Sequence, residues 1–406
     1  MNRNTNVDQS PEAMQSTATA AAPTVLQQTV SPQISTARDL SIDFVRGLCL
    51  PIMMVDHLRS HWLTLFTYRP FGFFCAATVF VFLSGYVAGK VYSRYLASND
   101  RLEVFHKLWR RASLLYLAHL AMSAVTILVT KLSPDIATQL GREIELVVSR
   151  PVDAFLADAL FLPSAPLLDV LPMYVFFLVL APFLLRLFQS GHAKQVFAVS
   201  AVVWAAAQAD YSVPLPPFIG IFDVAAWQFL FVTSLYLGFR QFTQPIELPQ
   251  EPKTLNLSLF GCMVALFMLR HAEVFSLQAF YDAIPAWWIE KSTLGPLLLL
   301  NLFLWVSFLW LVPAPLLRLA RQGRLFIAMG QNSLLVFAWH TLIFYLFLSM
   351  FPQLHKYSIL GQLVIVCFAV VCLVFPISLA VNYFVPASLK PGRSVTQPPP
   401  FFLRAN

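Results

Sequence analysis

Charged side chains are scarce in this chain: Asp, Glu, Lys and Arg make up 12% of its 406 residues. A soluble domain carries about twice that share, so a soluble globular fold is excluded. Hydrophobic residues reach 58% and the mean hydropathy is +0.67. Together these define an all-α, polytopic membrane bundle with no separate soluble domain. Cysteine is scarce too. Cys49, Cys75, Cys262, Cys367 and Cys372 all fall in apolar segments, where they read as small buried hydrophobes and not as a disulfide framework or zinc cluster. Residues 1–38 lack any long apolar run and are rich in Ser, Thr, Ala, Gln and Pro. That composition suits a disordered tail and not a cleavable signal peptide, so the first span is expected to act as an uncleaved signal. An internal repeat is also missing, which argues against a transporter built from duplicated halves.

What is present is a series of apolar stretches. A window of ~19 residues finds about ten spans, near 42–60, 71–92, 110–130, 168–187, 195–210, 218–238, 255–270, 293–312, 325–349 and 359–384. A further stretch at 155–162 is too short to cross and reads as an interfacial or re-entrant piece. The implied organisation is a cytoplasmic tail over 1–38, a membrane domain over 39–385 and a cytoplasmic tail over 386–406. With the N-terminus inside, most Lys and Arg fall on the cytoplasmic side, including Arg110, Arg111, Arg318, Arg321 and Arg324. This asymmetry predicts both termini in the cytoplasm. It also accounts for the net charge of +7 without a nucleic-acid partner.

Against this apolar background, the first span contains Arg46, Asp56 and His57. A charge at the centre of a spanning helix costs roughly 2.5–3.5 kcal/mol on insertion scales, so such groups usually line a polar site. On a helix Arg46 and His57 share one face, roughly 16 Å apart along the axis. Asp43 and Met53 lie on that face and His61 extends it. Asp56 projects about 100° away from His57, which suits a partner on another helix better than the neighbouring imidazole. The plainer reading makes Arg46 an interfacial arginine and Asp56 and His57 the markers of the span's outer end. Asp56, His57 and His61 also suggest a metal site, but no third strong ligand lies nearby and the zinc-protease Glu is absent; no metal is expected.

Other candidates follow along the chain. Tyr68 and Arg69 stand at the mouth of the second span, whose Gly72, Gly85 and Gly89 suit close helix packing. Arg110 and Arg111 open the third span, with Tyr116 and His119 three positions apart on one side. A basic pair there sets topology, and is also what a phosphate-bearing cofactor would need. Tyr174, then Trp227 and Gln228, then Ser333 and His340 fall inside later spans. Ser333 and His340 are two turns apart, too far for a nucleophile–base contact. His340 could reach His57 only across the bundle.

These segments together resemble the OpgC family of integral-membrane acyltransferases, relatives of the acyltransferase-3 group. The resemblance is carried by Asp43-Phe44-Val45-Arg46-Gly47, Asp56-His57, Thr67-Tyr68-Arg69, Phe80-Val81-Phe82-Leu83-Ser84-Gly85 and Arg110-Arg111. Leu171-Pro172-Met173-Tyr174, Trp227-Gln228 and Ser333-Leu334-Leu335-Val336-Phe337-Ala338-Trp339-His340 complete it, over about residues 38–385. It implies a bacterial inner-membrane enzyme that acylates osmoregulated periplasmic glucans, typically with succinyl groups from succinyl-CoA. In the wider group an Arg and a His separated by ten residues mark the active site, which carries over to Arg46 and His57. After the Gly-Phe, the OpgC pattern has an Asp and, three residues on, a Glu. This chain has Cys75 and Thr78 there, a departure that bears on specificity and activity.

The expected reaction uses His57 as general base on a sugar hydroxyl, with Arg46 and Asp56 in the catalytic set. Tyr68, Arg69, Tyr174, Trp227, Gln228 and His340 form the expected substrate-binding set. Arg110, Arg111, Tyr116 and His119 are expected to hold acyl-CoA (succinyl-CoA or acetyl-CoA), a co-substrate and not a resident cofactor. Expected partners are membrane lipid, the glycan acceptor and the glucan-synthesis machinery. Two rivals stand beside this reading: a transporter or exporter of a polar solute, and an acyltransferase whose acceptor is lipopolysaccharide or peptidoglycan.

Overall fold

The computed structural model describes residues 39–58, 62–98, 101–162, 164–209, 222–244, 253–352 and 354–376. His61 and both expected tails lie outside these residues. Within them the chain is helical, with no strand. The principal helices are α1 (Leu40–His57), α2 (Ala76–Ala97), α3 (Arg101–Leu132), α4 (Pro151–Ala159), α5 (Val170–Gln189), α6 (Ala193–Gln208) and α7 (Val224–Thr243). They continue as α8 (Lys253–Arg270), α9 (Pro296–Leu311), α10 (Ala314–Gln322), α11 (Arg324–Gln331), α12 (Ser333–Met350) and α13 (Ile359–Cys372). Among the described residues, α2, α3, α5 and α12 are each long and apolar enough to cross a membrane, and the pair α9–α10, bent by 86°, makes a fifth candidate. Leu114, Leu117 and Leu128 of α3 point outward, each more than half exposed. Apolar surface of that kind is stable facing lipid tails.

Helix α1 is the hub of the site. Asp39 caps it, its carboxylate accepting from the Ser41 N–H at 3.1 Å, which satisfies one of the unpaired donors of the first turn. It then packs on α11, α2 and α12. The α1–α11 contact is as close as backbones allow, and glycine is the reason. A Cβ on Gly47 would run into the Phe326 carbonyl, and one on Gly330 into the Asp43 carbonyl. The same device joins α2 to α7, where Gly85, Gly89 and Gly238 each face the partner helix, in keeping with small residues at membrane-helix interfaces.

Two span boundaries differ from the sequence reading. The stretch expected to cross at 325–349 is two helices, broken at Asn332. Gly330-Gln331-Asn332-Ser333 supplies the poor helix formers that permit the break. The break matters because Gly330 lies beside Asp43 near the start of α1, whereas α12 carries His340 to His57 at its end. The second span begins at Ala76 and not at 71. Pro70 and Gly72 keep residues 68–75 out of helix, with Arg69 at φ 57° and Gly72 at φ 124°. Asn301 of α9 holds this turn by accepting from the Phe73 N–H at 2.7 Å.

Candidate active site

A cavity of about 190 Å³ opens at the His57 end of α1. Its polar lining comes from Asp56, His57, Tyr68, Asp169, Tyr174 and Lys291, and its apolar wall includes Phe80, Met173, Phe222 and Phe337. Helices α1, α2, α5 and α12 therefore all contribute, together with the segments that enter α5, α7 and α9.

His57 is half-buried, and its Nδ1 lies 2.8 Å from Nε2 of His340. The ring centroids are 5.0 Å apart. Two imidazole nitrogens at that distance share one proton, so one ring donates and the other accepts. His340 is 1% exposed and sits behind His57 without lining the cavity. It is thus placed to orient His57, and not where the expected substrate-binding set put it. Asp56 turns away from its sequence neighbour: Thr67 Oγ1 donates to its Oδ1 at 2.6 Å. Thr67 closes the short helix Thr64–Thr67, so the partner does come from another helix.

Arg46 is buried, with its guanidinium 5.7 Å from the centre of the Phe80 ring. Phe80 packs edge-on against Tyr174 at 6.0 Å, and both rings line the cavity. Arg46 therefore lies one aromatic layer beneath the chamber floor, while His57 is in its wall.

Several expected substrate-binding residues hold the backbone and helices around the chamber. Arg69, buried, donates through Nη1 to the Ile289 carbonyl at 3.0 Å. Trp227, fully buried, donates through Nε1 to the carbonyls of Lys291 and Ser292, at 3.2 and 3.0 Å. Trp204 Nε1 and Gln208 Nε2 donate to Leu294 and Thr293, and the Asp223 N–H to Ser292. These contacts clamp residues 289–294, and the clamp puts the Lys291 side chain into the cavity wall. Glu290 completes the turn by accepting from the N–H and hydroxyl of Ser292, and those bonds hold its carboxyl below the usual carboxylate range. Gln228 exchanges two hydrogen bonds with Ser200, tying α6 to α7, and does not line the cavity. Tyr68 does line it, under the Arg69 guanidinium 5.2 Å away.

Of the expected acyl-CoA set, Arg110 and Arg111 are exposed on α3. Tyr116 and His119 are not grouped with them around a cavity. Tyr116 Oη donates to the Ala159 carbonyl at 3.0 Å, and His119 Nε2 donates to the Asp158 carbonyl at 2.9 Å. Both fasten α4 to α3. The Asp158 carboxylate accepts from the Ser123 hydroxyl and from the N–H and hydroxyl of Ser164, so this buried acid is fully engaged in packing.

Asp169 and Lys291 were missed by sequence reasoning. Lys291 follows Glu290 and precedes Ser292-Thr293-Leu294-Gly295-Pro296, which reads as an ordinary polar lead-in to a span. Only the clamp makes it a site residue. Cys75 and Thr78, where carboxylates were implied, are the N-cap and N3 residues of α2. The Cys75 N–H donates to Thr78 Oγ1 at 3.4 Å, and Cys75 Sγ lies 3.4 Å from the same oxygen. That is a capping box, so an Asp and a Glu at these positions would fit helix-cap chemistry. Cys75 also borders the cavity. Among the described residues no group of three or more His, Cys, Asp or Glu side chains is placed to hold a metal.

The apolar helices and the imidazole pair opening on a buried chamber define the class: a helical membrane protein with a polar chamber inside its bundle. A family model described as OpgC protein matches residues 38–383, and the chain belongs to that family. The family gives it a membrane-associated, acyltransferase-like role. No curated protein and no solved structure matches it.

Proposed function

We propose that this protein is a bacterial inner-membrane O-acyltransferase that moves an acyl group, succinyl first, from acyl-CoA to a hydroxyl of a periplasmic glucan or related envelope glycan. The single observation that carries the reading is the His57–His340 pair at the chamber wall. When His57 donates through Nδ1 to His340, its Nε2 keeps the lone pair that a general base needs. The base takes the proton of the sugar hydroxyl as that oxygen attacks the thioester carbonyl. The C–S bond then breaks, and the departing CoA sulfur receives the proton from His57. Lys291 supplies the positive charge that the intermediate's oxyanion requires in a poorly hydrated site, and Asp56 and Tyr68 orient the acceptor.

Ten spans with both termini cytoplasmic would put the His57 end of α1 on the periplasmic side and Arg46 nearer the cytoplasm. The donor would then enter past Arg110, Arg111 and Arg46, and the acceptor from the other face. Each of the ten expected stretches overlaps at least one described helix, and four of the described helices, or five spans with the bent pair, are long and apolar enough to cross by themselves.

The test is purified protein in detergent or liposomes with labelled succinyl-CoA or acetyl-CoA and a glucan acceptor. Transfer is expected in the wild type and should fall about 10²–10⁴-fold in a folded His57→Ala protein, the range for loss of a general base. A His57→Ala protein that transfers at the wild-type rate overturns the assignment, and CoA-independent solute uptake would favour the transporter.

A further inference from the structure

From Lys291 to its end the chain contains no Asp or Glu. Three basic residues of that stretch, Arg318, Arg321 and Arg324, stand at the elbow where α9 turns by 86° into α10, two on α10 and one at the start of α11. All three are exposed, and no described acid is bridged to them. Leu316 and Ala320 of α10 are buried, on a helix that packs against α1. A helix with an apolar inner side and arginines outside, set across the end of a candidate span, suits the membrane surface.

Beneath this elbow runs a groove of about 420 Å³, walled by α1, α2 and α9. Its described lining has no charged side chain, and Ser41 alone carries a hydroxyl. The lining runs from Ser41 to Ile52 on α1 and from Leu302 to Val312 on α9, roughly 15–17 Å at the rise of an α-helix. The hydrocarbon core of a bilayer is about 30 Å thick, so the groove has the depth of one leaflet. Pro315 and Leu319 line it at the elbow and Phe71 at the other end, and all three are exposed. The groove therefore opens outward and is not a sealed void in the core. Trp305 fixes the far end, its Nε1 donating to the Phe71 carbonyl at 3.2 Å.

These dimensions select the occupant. That volume over that depth leaves a cross-section on the order of 30 Å². A second helix, about 10–12 Å across, is too wide, whereas a single hydrocarbon chain fits. The cations stand where such a chain would meet the surface. Arg318 follows Pro315 by three positions, about 60° round the helix, and Arg321 is one turn further on. Guanidinium groups pair with phosphate through two parallel N–H donors.

We infer that groove and elbow form one binding site for an anionic phospholipid. Its tail lies between α1, α2 and α9, and its headgroup rests on Arg318 and Arg321 with Arg324 beside them. Cys75 and Ala76 border both the groove and the chamber, so the tail backs the turn that brings Tyr68 into the chamber wall. The site does not depend on the acyl-transfer reading, and its test uses no turnover.

Purified full-length protein in detergent is titrated with dioleoyl phosphatidylglycerol or dioleoyl phosphatidylcholine, bound lipid is counted by native mass spectrometry, and the thermal melt is followed. The wild type should hold one phosphatidylglycerol about tenfold more tightly than phosphatidylcholine, and its Tm should rise on binding. Arg318→Gln/Arg321→Gln should lose most of that preference, whereas Arg142→Gln/Arg150→Gln, an equally exposed pair outside the groove lining, should keep it. Val306→Trp fills the groove from α9 and should weaken both lipids about tenfold. Val79→Phe, from the α2 wall, should act in the same direction and gives the reading if Val306→Trp lowers the lipid-free Tm. Equal affinity for the two lipids in the wild type, or equal loss of preference in the two arginine variants, overturns the headgroup site. Lipid binding unchanged by a folded groove-filling variant overturns the groove as the place of the tail.

Discussion

Among the described residues, two fully buried histidines lie on helices long and apolar enough to cross a membrane, and they do opposite things. His119 on α3 donates to the backbone of α4, beside an Asp158 carboxylate already engaged by Ser123 and Ser164. Every contact there faces inward, and no cavity adjoins it among those lined by Asp56, His57 or Lys291. His340 on α12 meets a second imidazole, and that imidazole stands in a chamber wall. Burial and residue type are the same in the two cases. What separates a packing fastener from a site residue is whether the chain of contacts ends at an open, polar volume. A buried polar group costs free energy unless it is satisfied, and each imidazole has its Nε2 engaged; only one is engaged by a group that can also reach a ligand.

That contrast can be pressed at three places. The largest effect is expected on the fastener side. Asp158→Ala leaves three buried donors without their acceptor, at a cost of about 3 kcal/mol. A thermal melt in detergent should show a clear fall in Tm, and a change smaller than a surface substitution gives would mean the network is not what holds α4. On the chamber side, Lys291→Met should retain the melt and lose about 100-fold in kcat, the scale for removing one oxyanion partner. A normal kcat would reduce Lys291 to part of the clamp. The smallest effect belongs to the α2 cap. Thr78→Ala removes the acceptor for the Cys75 N–H and should cost about 1 kcal/mol, with Thr78→Ser restoring it. If Thr78→Ser fails to restore stability, the capping account of Cys75 and Thr78 falls.

The sequence carries the membrane class and most helices, because apolar runs and charge scarcity are local properties of the chain. It also places Arg46 and His57 in one helical stretch, which the structure shows as α1, with Pro51 between them. The partner of Asp56 was readable as to place but not identity: the 100° offset pointed to another helix, which proves to be the one ending at Thr67. Contacts across long separations were not readable. His57 and His340 are 283 positions apart, and nothing in either segment specifies the other. Arg69 and Trp227 show a different pattern. A costly polar or aromatic group in a span invites a ligand-binding role, and in the structure both donate to backbone carbonyls of residues 289–294. Lys291 was invisible for the same reason, because its importance comes from the clamp around it. The break at Asn332 was hidden by the apolar runs on both sides, which a wide window merges into one span.

The central claim is that His57, oriented by His340, is the base of an acyl-transfer chamber. Its most direct test is the initial rate of labelled acyl transfer by His340→Ala and His119→Ala proteins prepared side by side. The account predicts a fall of about 10–100-fold for His340→Ala, the scale seen when partners that orient ligating histidines are removed, and a rate per folded molecule near wild type for His119→Ala. Equal losses in the two proteins, or a larger loss at His119, would contradict it.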